Sequence, residues 1–277
     1  MKKSISIWAF PGMSVKDAMA LAKKAGFEAI ELSLDEKGDI GLDSNESDVK
    51  KIGEMAGKAG LEISSLATGL FWGYPMTSSN AQIAEKGKEV CRKLLDVASW
   101  LGVDGVLVIP GGVGADFIPG FETVSYDQAY ERALGAIKEL APYAQEKKVN
   151  IGIENVWNKF LLSPLEMKGF IDEINNPYVG VYFDTGNVVI NGYPQQWIRI
   201  LGKRIKRVHF KDFRKNVGTL DGFVDLLEGD VDWPEVMKAF REIGYDGYVT
   251  AEFFGYKHYN EVLIHNTSKA MDFILKG

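Results

Sequence analysis

A chain of 277 residues, 46% hydrophobic and 25% charged, is long enough for one large domain and excludes the collagen-like, disordered and disulfide-stapled classes. Thirty-two Lys and Arg against 38 Asp and Glu leave a net charge of −6, which argues against a dedicated nucleic-acid binder, whose basic face shows in the sum. Cys91 is the only cysteine, so neither an intrachain disulfide nor a cysteine zinc cluster can form, and its neighbours Val90, Leu94 and Leu95 make it a packed thiol on a helix face.

Met1-Lys2-Lys3 and the apolar residues after it imitate a signal peptide, but Ser4 and Ser6 interrupt the stretch and Pro11-Gly12 ends it, so its alternation reads as a strand. No window reaches the roughly 20 apolar residues of a membrane span, and the expected location is the cytoplasm, with no membrane partner. Strands are predicted over 4–10, 28–32, 62–67, 105–109, 150–154, 178–184, 205–210 and 248–253. Several, such as Val106-Leu107-Val108-Ile109, are apolar at nearly every position, as strands covered on both faces are. Helical spacing occupies 15–24, 80–101, 126–147, 164–174, 194–201, 233–243 and 260–275, with Pro164, Pro194 and Pro234 in first turns, where proline is tolerated. Eight strands alternating with helical segments match an α/β (β/α)8 TIM barrel, expected to span 1–277 as one catalytic domain. A doubly wound sheet is disfavoured because the first turn, Pro11-Gly12-Met13-Ser14, carries no G-x-G-x-x-G.

In such a barrel the chemistry sits at the C-terminal strand ends. The first four strands end without ionisable groups at the mouth, whereas the last four end in Glu154-Asn155, Asp184-Thr185-Gly186-Asn187, His209-Phe210-Lys211-Asp212 and Glu252-Phe253. A lone carboxylate at a strand end is more often a helix cap, and a lone histidine a satisfied core residue. Four consecutive strands presenting Glu154, Asp184, His209 and Glu252 at one rim call for a common cause. Three carboxylates so placed would repel, and a divalent cation removes the conflict. Oxygen donors with one imidazole suit Mn²⁺ first, with Mg²⁺, Co²⁺ or Zn²⁺ as alternatives.

These pieces, with Gly26-Phe27-Glu28-Ala29-Ile30-Glu31-Leu32 and Tyr245-Asp246-Gly247-Tyr248, resemble the xylose isomerase-like TIM-barrel superfamily. Within it the chain is most similar to ketose 3-epimerases. The D-x-G-N after strand six, the H-x-K-D after strand seven and Glu228-Gly229-Asp230-Val231-Asp232 are nearest the pentulose-5-phosphate 3-epimerase and hexulose-6-phosphate isomerase branch. The resemblance implies a metal-dependent sugar epimerase or isomerase in carbohydrate metabolism. A metal on Glu154, Asp184, His209 and Glu252 would polarise the ketose carbonyl, while Glu154 and Glu252 move the C3 proton through an enediolate. It also implies a small sugar or sugar phosphate as partner, and a homodimer or homotetramer.

Free-sugar 3-epimerases carry a His three residues after the strand-six Asp, where this chain has Asn187, a departure that favours the phosphate branch. Asn187, Lys211, Arg214, Trp8, Trp72 and Trp157 are the candidate substrate contacts, Arg214 for hydroxyls or phosphate and the tryptophans as water-excluding walls. Lys159 and His258 are weaker candidates, and Gly111-Gly112-Val113-Gly114 is a weak anion cradle. The basic run Lys203, Arg204, Lys206 and Arg207 belongs to the opposite face, as a solvated surface or a contact between subunits. Rival readings are an aldose–ketose or hydroxypyruvate-type isomerase or a polyol dehydratase on the same site, a multinuclear zinc endonuclease and a non-catalytic sugar binder. The endonuclease is disfavoured by three histidines in all, and the binder by two opposed carboxylates.

Overall fold

Alternation along each strand decides which side chains enter the barrel and which meet the helices. The computed structural model describes residues 1–277. Its strands are β1 Lys2–Ser6, β2 Ala29–Ser33, β3 Glu62–Ala67, β4 Gly105–Val108, β5 Asn150–Glu154, β6 Val179–Asp184, β7 Ile205–Phe210, the short pair β8 Asp212–Phe213 and β9 Phe223–Val224, and β10 Tyr248–Ala251. The helices are α1 Val15–Ala25, α2 Glu46–Ala59, α3 Ala81–Leu101, α4 Tyr126–Lys147, α5 Pro164–Ile174, α6 Pro194–Leu201, α7 Trp233–Ile243 and α8 Asn260–Lys276. Parallel pairing closes β1-β10-β7-β6-β5-β4-β3-β2 into the expected barrel, with a helix after each barrel strand.

Local chemistry sets the helix limits. Ser14, Asn45, Asn80, Ser163 and Asp232 each accept a backbone N–H in the first turn of the helix that follows. At the other ends Gly26, Gly60, Gly102 and Gly244 take left-handed caps, which glycine adopts without strain. α2, for which no range is drawn above, is weakly marked because only Val49, Ile52 and Ala56 are buried among polar residues. Strand one is shorter than predicted. Ser6 Oγ accepts from Trp8 N–H and starts a 3₁₀ turn at Ile7–Ala9, which turns the chain away from the barrel wall.

Outside the barrel, Phe183 of β6 and Phe210 of β7 interlock with Trp233 and Phe240 of α7. Inside it runs a polar column. Arg207 fills the N-terminal end: its Nε donates to Ser64 O at 2.9 Å, and its guanidinium pairs with Asp104. It is therefore a buried plug, not part of a solvated basic face, because strand alternation turns it inward while Lys206 faces out toward the helix layer. Arg204 pairs with Asp172 at 2.5 Å on the surface. No helix is long and apolar enough to cross a membrane.

Candidate active site

The four rim residues of the sequence reading converge. One ligand-type atom from each of Glu154, Asp184, His209 and Glu252 lies within 4.8 Å of the others. His209 Nδ1 is 2.8 Å from Glu252 Oε2, 3.5 Å from Glu154 Oε1 and 4.0 Å from Asp184 Oδ2. Each side chain is aimed by a specific contact. Asn187 N–H donates to Asp184 Oδ1 at 2.8 Å, leaving Oδ2 for the cluster. The Asn155 side chain donates to Asp184 O and accepts from Asp184 N–H, which locks the ends of β5 and β6 together.

His209 is held from behind by Glu31, whose Oε1 lies 3.0 Å from Nε2. Glu31 is fully buried and accepts from Ser65 Oγ at 2.8 Å and Tyr182 Oη at 2.5 Å. Burial pulls the Glu31 carboxyl up, but His209, Tyr182 and Ser65 together outweigh burial and hold it below its ordinary range, ionised. In the neutral ring that a cation requires, an ionised acceptor at Nε2 puts the ring proton there and turns the Nδ1 lone pair toward the cluster. Sequence reasoning passed over Glu31 because it stands in the middle of β2, not at its end. The signal is a carboxylate in the apolar run Ala29–Ser33, since a carboxylate is almost never fully buried unless partnered.

The donor set fits a divalent cation. Asp184 Oδ2, His209 Nδ1 and Glu252 Oε2 are buried without a hydrogen bond, a costly arrangement unless something positive sits among them. The Lys211 ammonium partly fills that role, 2.7 Å from Glu252 Oε2 and 3.3 Å from Asp184 Oδ2. Burial raises the Glu154 carboxyl to about 7, with Glu252 adding to the rise and His209 and Lys211 opposing it. Glu252 is pulled up by burial, but Lys211 and His209 outweigh it and hold the carboxyl at about 2. Burial pulls His209 down, yet Tyr182, Glu31 and Glu252 leave it well above its ordinary value.

A pH dependence of cation binding follows. The metal-free site holds a proton on Glu154 below about pH 7, and Tyr182, Glu31 and Glu252 favour the protonated form of His209. Both protons must leave when a cation enters, so affinity rises with pH. Calorimetry of Mn²⁺ binding in buffers of different ionisation heat is expected to show more protons released at pH 6 than at pH 8. No proton release at either pH would mean that the cation binds elsewhere.

Glu154 and Glu252 of the cluster open into a cavity of about 360 Å³ lined by Trp8, Trp72, Trp157, Asn187 and Lys211, as well as Phe117 and Phe223. Of the sequence-predicted contacts, only Arg214 lies outside this lining. Its Nε donates to Glu228 O at 3.0 Å and its Nη2 pairs with the Glu228 carboxylate at 3.2 Å, outside the cavity lining. Asn187 is mainly a brace, donating from Nδ2 to Asn155 O at 2.9 Å, and Trp157 Nε1 donates to Asn187 O at 2.9 Å. Lys159 pairs with Asp116 at 2.7 Å, and His258 does not line the cavity. The amides of Gly112, Val113 and Gly114 are spoken for: Gly112 N–H donates to Thr77 Oγ1, and Val113 and Gly114 donate to Asn158 O. A Cβ on Gly112 would meet Asn158 at 2.6 Å, so that glycine serves a close loop approach.

Asp212, the last residue of the H-x-K-D stretch, accepts from Leu227 N–H, Val231 N–H and Trp233 Nε1. It thereby pins the Glu228–Asp232 segment beside the β8–β9 hairpin, a fixture of the loop and not of the chemistry.

Comparison with known proteins agrees with this architecture. An L-ribulose 3-epimerase of Methylomonas sp. (strain DH-1) is 28% identical over 254 residues, covering 89% of this chain and 80% of its own. The L-ribulose-5-phosphate 3-epimerase UlaE of Escherichia coli (strain SMS-3-5 / SECEC) is 24% identical, covering 83% of this chain and 79% of its own. A crystal structure of D-psicose 3-epimerase in the presence of D-fructose superposes over 100% of both chains with a TM-score of 0.82 at 18% identity, a likeness of fold. A family model described as xylose isomerase-like TIM barrel matches residues 19–276, and the chain belongs to that family.

Proposed function

We propose that this chain is a metal-dependent 3-epimerase of unphosphorylated ketoses. The observation that carries the proposal is the placement of Glu154 and Glu252, from β5 and β10, in one four-donor cluster under an aromatic cavity. Bound by Glu154, Asp184, His209 and Glu252, a divalent cation, for which we assign Mn²⁺, supplies the Lewis acidity that makes a proton next to a carbonyl removable. One of the two carboxylates takes the C3 proton on its face and the other delivers a proton to the opposite face, which inverts the centre. Lys211, charged and buried beside both Asp184 and Glu252, offsets the charge that builds up on the substrate oxygens. Trp8, Trp72 and Trp157 keep water from the intermediate. The relatives named for pentuloses and pentulose phosphates support the reaction class. We place the enzyme in the cytoplasm, in keeping with a lone buried thiol and no disulfide pairing.

The choice of an unphosphorylated sugar rests on how the cations near the cavity are spent. Lys211 serves the carboxylates, Arg214 serves Glu228 and Lys159 serves Asp116. A phosphate dianion entering this cavity finds no free cation, and an unpaired charge there is expected to lower kcat/KM by about 100-fold. The test incubates D-fructose, L-ribulose and L-ribulose 5-phosphate with the Mn²⁺ enzyme in D₂O, with an EDTA control, and follows NMR. Deuterium at C3 with the C3 epimer is expected for the free sugars. Exchange at C1 or C2 with aldose formation would overturn the epimerase in favour of an isomerase, and preference for the phosphate ester would overturn the substrate class.

A further inference from the structure

A second cavity of about 500 Å³ adjoins the first, and Phe117, Val156, Trp157, Asn187 and Leu220 line both. It is enclosed by the loops after β5 and β6 and by the tip of the excursion between β8 and β9. Val188 and Trp197 are buried at its base, and Leu162 and Ile190 stand half-exposed at its mouth. Charge is present only as the closed Lys159–Asp116 pair.

The wall is built, not slack. The Asn158 side chain donates to Gly111 O and accepts from Phe160 N–H, which ties the β5 loop to the β4 loop. Lys159 and Leu161 take left-handed backbone angles, φ 55° and 51°, which non-glycine residues adopt only under constraint from their surroundings. A monosaccharide over the four-donor cluster would fill the first cavity, and the second, apolar one opens off it past the shared wall of Val156, Trp157 and Leu220. Apolar side chains left half-exposed around a concave surface contiguous with a reaction site fit an apolar extension of the substrate.

We propose that this second cavity is a subsite for an alkyl or aromatic substituent carried on the ketose at the end remote from its carbonyl. The inference rests on the ketose 3-epimerase reading above. Its probes are D-fructose and 6-O-benzyl-D-fructose, whose C3 chemistry is the same. The benzyl ether is expected to show a kcat/KM about 10-fold or more above that of D-fructose, the effect of burying one aromatic ring. Ile190→Trp and Leu162→Trp, at half-exposed positions that tolerate a large side chain without entering the core, each fill the subsite and bring the ratio of the two kcat/KM values down toward one. A wild-type ratio at or below one while D-fructose is epimerised overturns the subsite alone, as does a high ratio unchanged in both folded variants. Absence of C3 exchange on every ketose overturns the epimerase reading and this inference with it.

Discussion

Glu252→Gln and Glu154→Gln are each expected to lower kcat for C3 epimerisation by about 100- to 10,000-fold, the usual worth of a positioned acid or base. In the closed barrel, β6 and β7 stand between β5 and β10, so the two carboxylates reach the cluster from separated staves and flank whatever lies above it. Their surroundings already differ in the metal-free site. Burial dominates at Glu154 and raises it to about 7, whereas Lys211 and His209 prevail at Glu252 and hold it at about 2.

A two-base reaction leaves a signature that loss of rate alone does not. With one carboxylate removed, the other still takes and returns the C3 proton on its own face. Each variant is then expected to wash solvent deuterium into only one C3 epimer, and the two variants into opposite ones. The glutamine carbonyl still offers an oxygen donor, so metal content, measured on the purified variants, is expected to fall less than rate. If both metal-loaded variants keep rates within threefold of wild type, or lose exchange into the same epimer, the two-base assignment is wrong.

Much of this was legible in the chain because barrel strands are short, apolar and regularly spaced. Glu154, Asp184 and His209 interrupt such runs at their ends, and position in a (β/α)8 barrel then places them on one rim. What escaped depends on contacts remote in sequence. Glu31 meets His209 across 178 positions, and Arg207 meets Ser64 across 143, so neither role shows in a local pattern. The β8–β9 hairpin joins two-residue strands, too short to carry a period. Arg214 stands on the correct face of the barrel, but Glu228, in the segment after β9, takes its guanidinium. Proximity along the chain identifies the face on which a residue lies, whereas the partner it binds is decided by three-dimensional packing.

Glu31→Gln is expected to weaken Mn²⁺ binding by about 10- to 100-fold with little change in fold, the usual cost of altering the group behind a ligating histidine. The carboxylate accepts from Ser65, Tyr182 and the Nε2–H of His209 at one point, and with no proton to offer it tolerates only the tautomer whose Nδ1 faces Glu154, Asp184 and Glu252. Glutamine retains size and an acceptor oxygen but adds two N–H donors. One of these can be accepted by an unprotonated Nε2, moving the ring proton to Nδ1, where it opposes the cation. The loss is therefore expected mainly in metal affinity, read by titration of the apo-protein, and kcat at saturating Mn²⁺ is expected to recover most of its wild-type value. Glu31→Ala removes the acceptor altogether, leaving Tyr182 Oη only Ser65 at 3.1 Å and the His209 Nε2–H with no partner, and a buried donor left unpaired costs about 1–3 kcal/mol, so its melting temperature is expected to fall well below that of Glu31→Gln. Wild-type metal affinity in Glu31→Gln would show that His209 is aimed by the barrel wall and not by the charge behind it.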